Sequence, residues 1–480
     1  MKLIFTVIAV LVFSVALVAQ ENDVPTKWTL EACVSYAMDN NISIKQSRLD
    51  QENADISKSE AIGNYLPSIN GNISNSWNSG LTQNITTGIL EQQVVRNLSA
   101  GATAGITLFD GLRNLRTFQR AKLEQLAAQY SLQLMKDDIA LFVANAYLQI
   151  LVNKQQLEVL TEQNKVTKDQ IELTRKTVEA GTAPQGDLLE IEATDADEEQ
   201  QIIVAKNNLR ISKISLAQTL LIEDYQNFDI ADEEYDIPLT DILSNSPEEI
   251  IEKAKQERYE LKVAEQDLEL AEKDIEIARS QLYPTLNGFI NYNTRESDRG
   301  RTVGGGIDPD QPTREIGVVE ATGQAVVAPN ILIENAGPSS FFSQLSRNDG
   351  YSYGLQLNIP VFNGFATRNQ IKRREVAAKR AEFQLDQTEL DLEANVYQAY
   401  VDAQGAAKAY EAAQKAVESQ QLAFEYAQQR FDVGVSNAFE LSQSKFRLTN
   451  AQNRLINAKY DYIFNLKVLE LYFGIRVVEY

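Results

Sequence analysis

The chain has 480 residues, enough for two or three ordinary domains, and a formal charge of −22. That acidity disfavours a nucleic-acid partner, because phosphate contact needs a basic face. With no histidine and one cysteine, Cys33, the chain lacks the commonest general base and can form no internal disulfide or thiolate metal cluster. No Walker A, Rossmann fingerprint or GxSxG motif occurs, which speaks against an enzyme without excluding one built on carboxylates.

Residues 1–19 read as a secretory signal: Lys2, an apolar run from Leu3 to Val18, then Ala19-Gln20. Cleavage after Ala19 fits the small-residue rule; cleavage after Ala16 is the alternative. A membrane anchor would need a longer run and a basic cluster behind it. Leu30-Glu31-Ala32-Cys33 superficially has the look of a lipoprotein signal, but Glu31 spoils it. No later stretch of 18 apolar residues could form a spanning helix.

Residues from Leu30 to Gly63 read as helix and lead into a strand at Ser68–Trp77, with Ile69, Gly71, Ile73 and Trp77 on one face. A second strand, Ser99–Phe109, alternates in the same way through Ala100, Ala102, Ala104, Ile106 and Leu108. Leu112 to about Val178 then lacks both Pro and Gly, predicting an amphipathic helix of about 100 Å. It stops at Gly181-Thr182-Ala183-Pro184, where glycine can take the left-handed cap, and a returning helix spans about Asp187–Leu221. Asp224–Ser246, with Pro238, reads as a belt of mixed structure.

The pattern then recurs. Pro247–Leu282 reads as helix, Thr285–Asn293 and Tyr351–Val361 as strands, and Thr294–Gly350 as a long, polar, Gly-rich loop between them. Phe365 to about Phe431 is the second long helix, Gly434-Val435-Ser436-Asn437 its turn, and Asn437–Tyr472 its return. The correspondences are literal. Leu66-Pro67-Ser68 matches Tyr283-Pro284-Thr285 at an offset of 217, and Phe109-Asp110-Gly111 matches Phe362-Asn363-Gly364 at an offset of 253. Ala146-Tyr147 and Ala399-Tyr400 share the larger offset, so the second copy carries 36 extra residues between Gly288 and Phe362. One supersecondary unit is used twice. The chain divides into residues 20–246 and 247–480.

Four uncharged runs of about ten residues have the length and alternation of outer-membrane strands. A half-buried soluble sheet alternates too. In lipid, an open sheet would leave backbone groups unpaired at several kcal/mol each. Four strands cannot close around a channel, so copies must share a barrel: two would supply eight strands and a filled interior, three would supply twelve and a pore.

On these marks, the ordered strand entries, strand exits, Ala-Tyr pairs and glycine turns, the sequence resembles the TolC family of outer-membrane efflux proteins over essentially the whole mature chain. The resemblance implies a mostly α fold with a membrane β-barrel: a homotrimer whose 12-strand barrel continues as a 12-helix periplasmic α-barrel. It implies a passive exit duct of a tripartite efflux or type I secretion system, with a periplasmic adaptor and an inner-membrane pump as partners and no cofactor or metal. It puts the tips Gly181, Thr182, Ala183, Pro184, Gly434, Val435, Ser436 and Asn437 against the adaptor. Acidic candidates for a periplasmic constriction are Asp187, Glu190, Asp432 and Glu440, with Glu192, Asp195 and Asp197 beside them. Glu190–Glu199 reads equally as a solvated helix face. Two other classes stay open: an exported coiled-coil rod with a small soluble sheet, and a glycan-active enzyme using two carboxylates about 5–10 Å apart.

Overall fold

The computed structural model describes residues 27–83, 90–232, 235, 237 and 242–476; the expected signal at 1–19 and Pro238 lie outside them. The first repeat runs through helices α1 (Leu30–Asn40) and α2 (Ile42–Gly63), strands β1 (Ser68–Gln83) and β2 (Leu90–Phe109), and helices α3 (Arg113–Glu179) and α4 (Gln185–Leu220). The second begins with α5 (Pro247–Glu257), α6 (Tyr259–Ser280) and β3 (Thr285–Ser297). Strands β4 (Arg301–Ile307), β5 (Thr313–Val318), β6 (Ala325–Pro329) and β7 (Ile331–Ala336) follow, then helix α7 (Phe341–Arg347). It ends with β8 (Gly350–Asn358), α8 (Ala366–Asp432) and α9 (Ala438–Tyr472). Helices α3 and α8 have 67 residues each.

The chain forms two compact units. Asn53–Gln125 and Asp267–Ala381 make the sheet unit; the described residues among 27–52, 126–266 and 382–476 make the helical unit.

In the sheet unit, β1, β2, β3 and β8 form one antiparallel sheet in that order. Residues paired across antiparallel strands share a face, and the register turns the sequence alternation into rows. Ile69, Ala104, Ile290 and Tyr353 form one row; Gly71, Ala102, Tyr292 and Tyr351 form the next. On the opposite face, Asn70, Thr103, Asn291 and Ser352 align. Phe289 is an apolar exception on that polar face and lies against Gly354, where a Cβ would come within 3.1 Å of its ring.

The strands differ from the sequence reading at their ends. β1 continues to Gln83, β2 begins at Leu90 and β3 runs to Ser297, because backbone pairing extends past the apolar stretch. The added residues bring the first charges, among them Glu91, Arg96, Arg295 and Glu296. β8 stops at Asn358, short of the expected Val361, since Pro360 has no donor for the ladder. The expected loop 294–350 is largely ordered: β4 pairs with β7, β5 pairs with β6, and α7 packs on β3.

In the helical unit, two apolar clusters hold the chain. Trp28, Tyr147, Ile150, Leu216, Leu220 and Ile230 belong to one; Ile250, Leu392, Val396, Leu466 and Leu469 belong to the other. Tyr147 is fully buried, which explains the first Ala-Tyr mark as core. Trp28 and Ile230 form a parallel bridge, so part of the expected belt is a strand-like clasp.

Each entering segment, read as one helix, is broken. Asn41 interrupts the first and Arg258 the second, 217 residues apart and therefore equivalent. Asn41 competes with helical hydrogen bonding through its own side chain: Oδ1 accepts from Ser43 N at 2.9 Å and Nδ2 donates to Thr219 O at 3.2 Å. The Arg258 guanidinium lies 5.4 Å from the Tyr472 ring centre. Thr219 and Tyr472 are equivalent at the offset of 253. In each repeat, the end of the returning helix meets the break in the entering one.

Candidate functional site: the open sheet and the helical tips

Among the described residues, neither face of the four-stranded sheet is covered along the apolar band. Ile73 is 78% exposed and Tyr353 83% exposed, far outside what a water-facing surface of this extent tolerates. The outer strands β1 and β8 each leave one edge unpaired by any described strand. The polar face is internally bonded: Thr107 Oγ1 donates to Asn287 Oδ1 at 3.1 Å, and Asn291 Nδ2 to Ser352 Oγ at 3.3 Å.

The strand exits explain the Phe-Asp/Asn-Gly marks. Gly111 and Leu112 have φ of 69° and 67°; Gly364 and Phe365 each have φ of 62°. Two successive left-handed residues swing the chain from strand into helix, and the second is not glycine in either copy, a position that carries strain. Asp110 then caps α3, its Oδ2 accepting from Asn114 N at 2.9 Å. Asn363 contacts Thr367 at the equivalent place. The copies differ in their surroundings. A Cβ on Gly111 would lie 2.5 Å from Ser280 O and 2.7 Å from Tyr283 Cβ, so the exit of the first repeat packs against the entry of the second. A Cβ on Gly364 would meet nothing within 4 Å beyond its chain neighbours. Pro67, Phe109 and Phe362 are exposed beside these junctions, and Pro284 is half-buried.

Both tips close identically. Gly181 has φ of 74° and Gly434 of 73°. Thr182 N donates to Thr177 O at 2.9 Å, and Val435 N to Arg430 O at 2.8 Å, the helix-ending pattern that satisfies orphan carbonyls. Pro184 stands at the N-cap of α4 without a side-chain bond; Asn437 caps α9, accepting from Glu440 N at 3.0 Å. Ala183 and Ser436 are half-buried, while Thr182 and Val435 are exposed. Ile171, Ile191 and Ala438 form a small buried cluster with Phe431, tying the two hairpins together near the tips.

The acidic candidates have separate environments. Asp432 accepts from Gln428 Nε2 at 2.8 Å, and Glu440 lies 3.5 Å from Arg430. Glu192 lies 3.4 Å from Arg175, and Asp195 accepts from Asn164 at 2.7 Å. Asp187 and Glu190 are half-buried; Asp197 is exposed. Glu190 lines a groove of about 290 Å³ with Thr194, Glu198, Phe439, Ser442 and Phe446.

Sequence reasoning missed Lys445. It is 2% exposed and forms a 2.9 Å ion pair with Glu198. It also donates to Thr167 Oγ1 and Gln163 O, and Thr167 Oγ1 donates to Glu198 Oε2 at 2.6 Å. Burial pushes the lysine below its ordinary pKa, against the pull of Glu198. The cluster joins α3, α4 and α9. A signal was available: Ala438, Leu441, Lys445 and Leu448 keep the 3-4-3 spacing of a buried stripe, with lysine in an apolar place.

A family model described as outer membrane efflux protein matches residues 33–220 and 250–474. No curated protein matches the chain. Among solved structures, CusC is 16% identical, with 93% of this chain and 92% of that one covered, at a TM-score of 0.73. The outer membrane protein VceC from Vibrio cholerae is 15% identical, with coverage of 93% and 96% and a TM-score of 0.70. The CmeC outer membrane channel of Campylobacter jejuni is 15% identical, with coverage of 97% and 92% and a TM-score of 0.69. At such identities the likeness is one of fold.

Proposed function

The chain belongs to the outer membrane efflux protein family, and from that membership we propose that three copies assemble into one continuous duct gated at its helical tips. The family is one of transport conduits, so the chain is an outer-membrane channel for efflux with a large periplasmic portion, and not an enzyme. It works with an adaptor and an inner-membrane pump.

The observation that carries the trimer is the unequal pair of junctions. The Cβ side of Gly111 faces Ser280 and Tyr283 within the chain, while the same side of Gly364 is open among the described residues. By repeat equivalence, the partners of Gly364 are Gly63 and Leu66 of another copy. The sheet repeats the same logic: the first repeat joins the second through β2 and β3, leaving β8 to join β1 of the next copy. In lipid such an edge must be paired. The offsets are already consistent within the chain, because Ile69 faces Ala104 and Leu286 faces Leu357. Carried outward, the observed pair Thr103–Asn291 becomes Gln356 opposite Ser74 of the neighbour. Both lie on the polar face, which would line water. Three copies bring twelve strands and a pore.

Directly paired strand residues have Cα atoms about 4.5–5.5 Å apart, within disulfide reach. The Gln356→Cys/Ser74→Cys double variant, oxidised in membranes, is expected to run as a covalent trimer on a denaturing non-reducing gel. Each single variant should run as a monomer. A ladder ending at dimer, or no cross-link, rejects the closed trimer.

Near the tips, the groove holding Glu190, Phe439 and Phe446, together with Val433 and Val435 exposed at the α8–α9 turn, supports docking of the adaptor around Gly181-Thr182-Ala183-Pro184 and Gly434-Val435-Ser436-Asn437. Asp187, Glu190, Asp432 and Glu440 would supply the carboxylates of the narrow end, favouring cations over anions.

A further inference from the structure

Helix α7 has no counterpart among the described residues of the first repeat, and its position is specific. It belongs to the extra residues between β3 and β8, where the sheet narrows. β3 pairs with β8 only as far as Asn293–Gly350. Beyond that, the Gln344 side chain takes over the free backbone of Ser297: its Oε1 accepts from Ser297 N at 3.0 Å and its Nε2 donates to Ser297 O at 2.9 Å. Asn348 Nδ2 donates to Arg295 O at 2.9 Å, and Thr294 Oγ1 donates to Leu345 O at 2.7 Å.

The last bond fixes the side of the sheet on which α7 lies. Thr294 pairs with Ala100, and Ala100 with Ile73, so Thr294 shares the apolar face. Helix α7 therefore covers the far end of the face whose central rows are bare. Glu296, on the same face, is buried there in an ion pair of 2.6 Å with Arg96, and Arg96 is register partner to Trp77. This is the end remote from the helices that join the strands at Pro67 and Pro284.

The height fits a boundary. From Leu286 to Thr294 is eight residues of strand, about 27 Å along the strand and about 21 Å at a usual barrel tilt. That is close to the height of an outer-membrane apolar band, about 25 Å. Near that end lie the Tyr292–Tyr351 pair, two residues inside Thr294, and, on α7, Phe341 and Phe342, whose rings meet edge-on at 5.3 Å; Trp77 lies four residues farther along β1. Phe342 is 80% exposed.

We propose that α7 is an interfacial anchor whose Phe341–Phe342 pair inserts into outer-leaflet lipid at the boundary of acyl chains and headgroups. The occupant follows from continuity: the surface beneath the two rings is the same apolar face that meets hydrocarbon, and aromatic side chains favour that boundary. Buried and neutralised by Arg96, Glu296 ends the apolar face without presenting a charge to lipid. The proposal rests on the sheet being embedded in the outer membrane.

The test is nitroxide accessibility of Phe342→Cys in the full chain, assembled in phosphatidylcholine vesicles. Cys33 is fully buried and stays unlabelled. Leu355→Cys reports the middle of the apolar face, and Thr322→Cys, in the β5–β6 turn, reports water. At position 342, collisions with oxygen should exceed those with a water-soluble nickel chelate, by a ratio several-fold above that at 322 and below that at 355. Nickel dominating at 342 as at 322 places the helix in water and overturns the proposal. Exclusion of both quenchers means that protein covers the pair, and overturns it too. If 355 keeps its preference for oxygen, the membrane reading survives such a failure; if 355 also favours nickel, both fall.

Discussion

A lysine sits in the apolar stripe of α9, and only its neighbours explain it. Lys445 is fully desolvated against Glu198, Thr167 and Gln163. Removing one member of such a pair leaves the other buried without its partner, at about 3–5 kcal/mol; replacing both by neutral groups of similar shape costs far less. Lys445→Met is therefore expected to lower the thermal midpoint of the purified protein clearly. The double variant Lys445→Met/Glu198→Gln should recover most of that loss. A double variant no more stable than the single one would show that the pair is not the unit of stability. The glycines divide in a similar way. Gly181 and Gly434 were legible as helix stops, because a left-handed cap depends on local backbone sterics. That Gly111 is also pressed against Ser280 and Tyr283, while Gly364 is free, depends on residues about 170 positions away and leaves no trace in the local sequence.

Among the elements, the long helices and their turns follow directly from periodicity: α3 and α8 end within about two residues of the expected limits. The strands are legible across the apolar band and indistinct beyond it, because side-chain alternation reports the environment while the ladder reports only backbone pairing. The breaks at Asn41 and Arg258 went unseen, since neither residue forbids a helix; each is paid for by a contact with the end of another helix. The clasp between Trp28 and Ile230 was hidden for the same reason. It is bracketed by charge: Lys154 lies 3.0 Å from Asp229 and 2.8 Å from Asp232, and Lys213 lies 2.8 Å from Asp229. Hydrogen bonds from Lys154 and Lys27 hold Asp232 down at about 2. Burial pushes Asp229 up, but Lys213 and Lys154 outweigh it and leave it below the ordinary value. Both carboxylates are thus depressed in the folded state. Their stabilisation is complete above the unfolded value of 3.8 and is lost as pH falls toward about 2. Amide protection at Trp28 and Ala231 is expected to weaken across that window, and to weaken less in Asp232→Asn. Equal pH dependence in the variant would exclude the clasp as the acid-sensitive part.

For the whole molecule, the proposed gating puts the control of flow at the tips. Glu440 pairs with Arg430 across the turn, and Asp432 accepts from Gln428, which in turn accepts from Gln170 of the other hairpin at 2.6 Å. These contacts hold the ends of α8 and α9 and tie α8 to α3. Under the proposed gating, opening separates the tips, so Asp432→Ala and Glu440→Ala should each raise single-channel conductance and weaken block by divalent cations. Conductance and block unchanged from the parent in both variants would remove these two carboxylates from the narrow end.

By itself, the sequence determined the duplication, the alternation of strand and helix, the lipid-matched length of the apolar runs and the helix-ending glycines. All of these are set by backbone sterics and by periodicity within a few neighbouring residues. Tertiary structure alone decided that the two repeats join through β2 and β3, that their second junction is left open, that a lysine could be buried in α9, and that α7 returns to cap the apolar face. Those outcomes depend on which distant residues meet, and the energy of a contact between remote segments has no period along the chain.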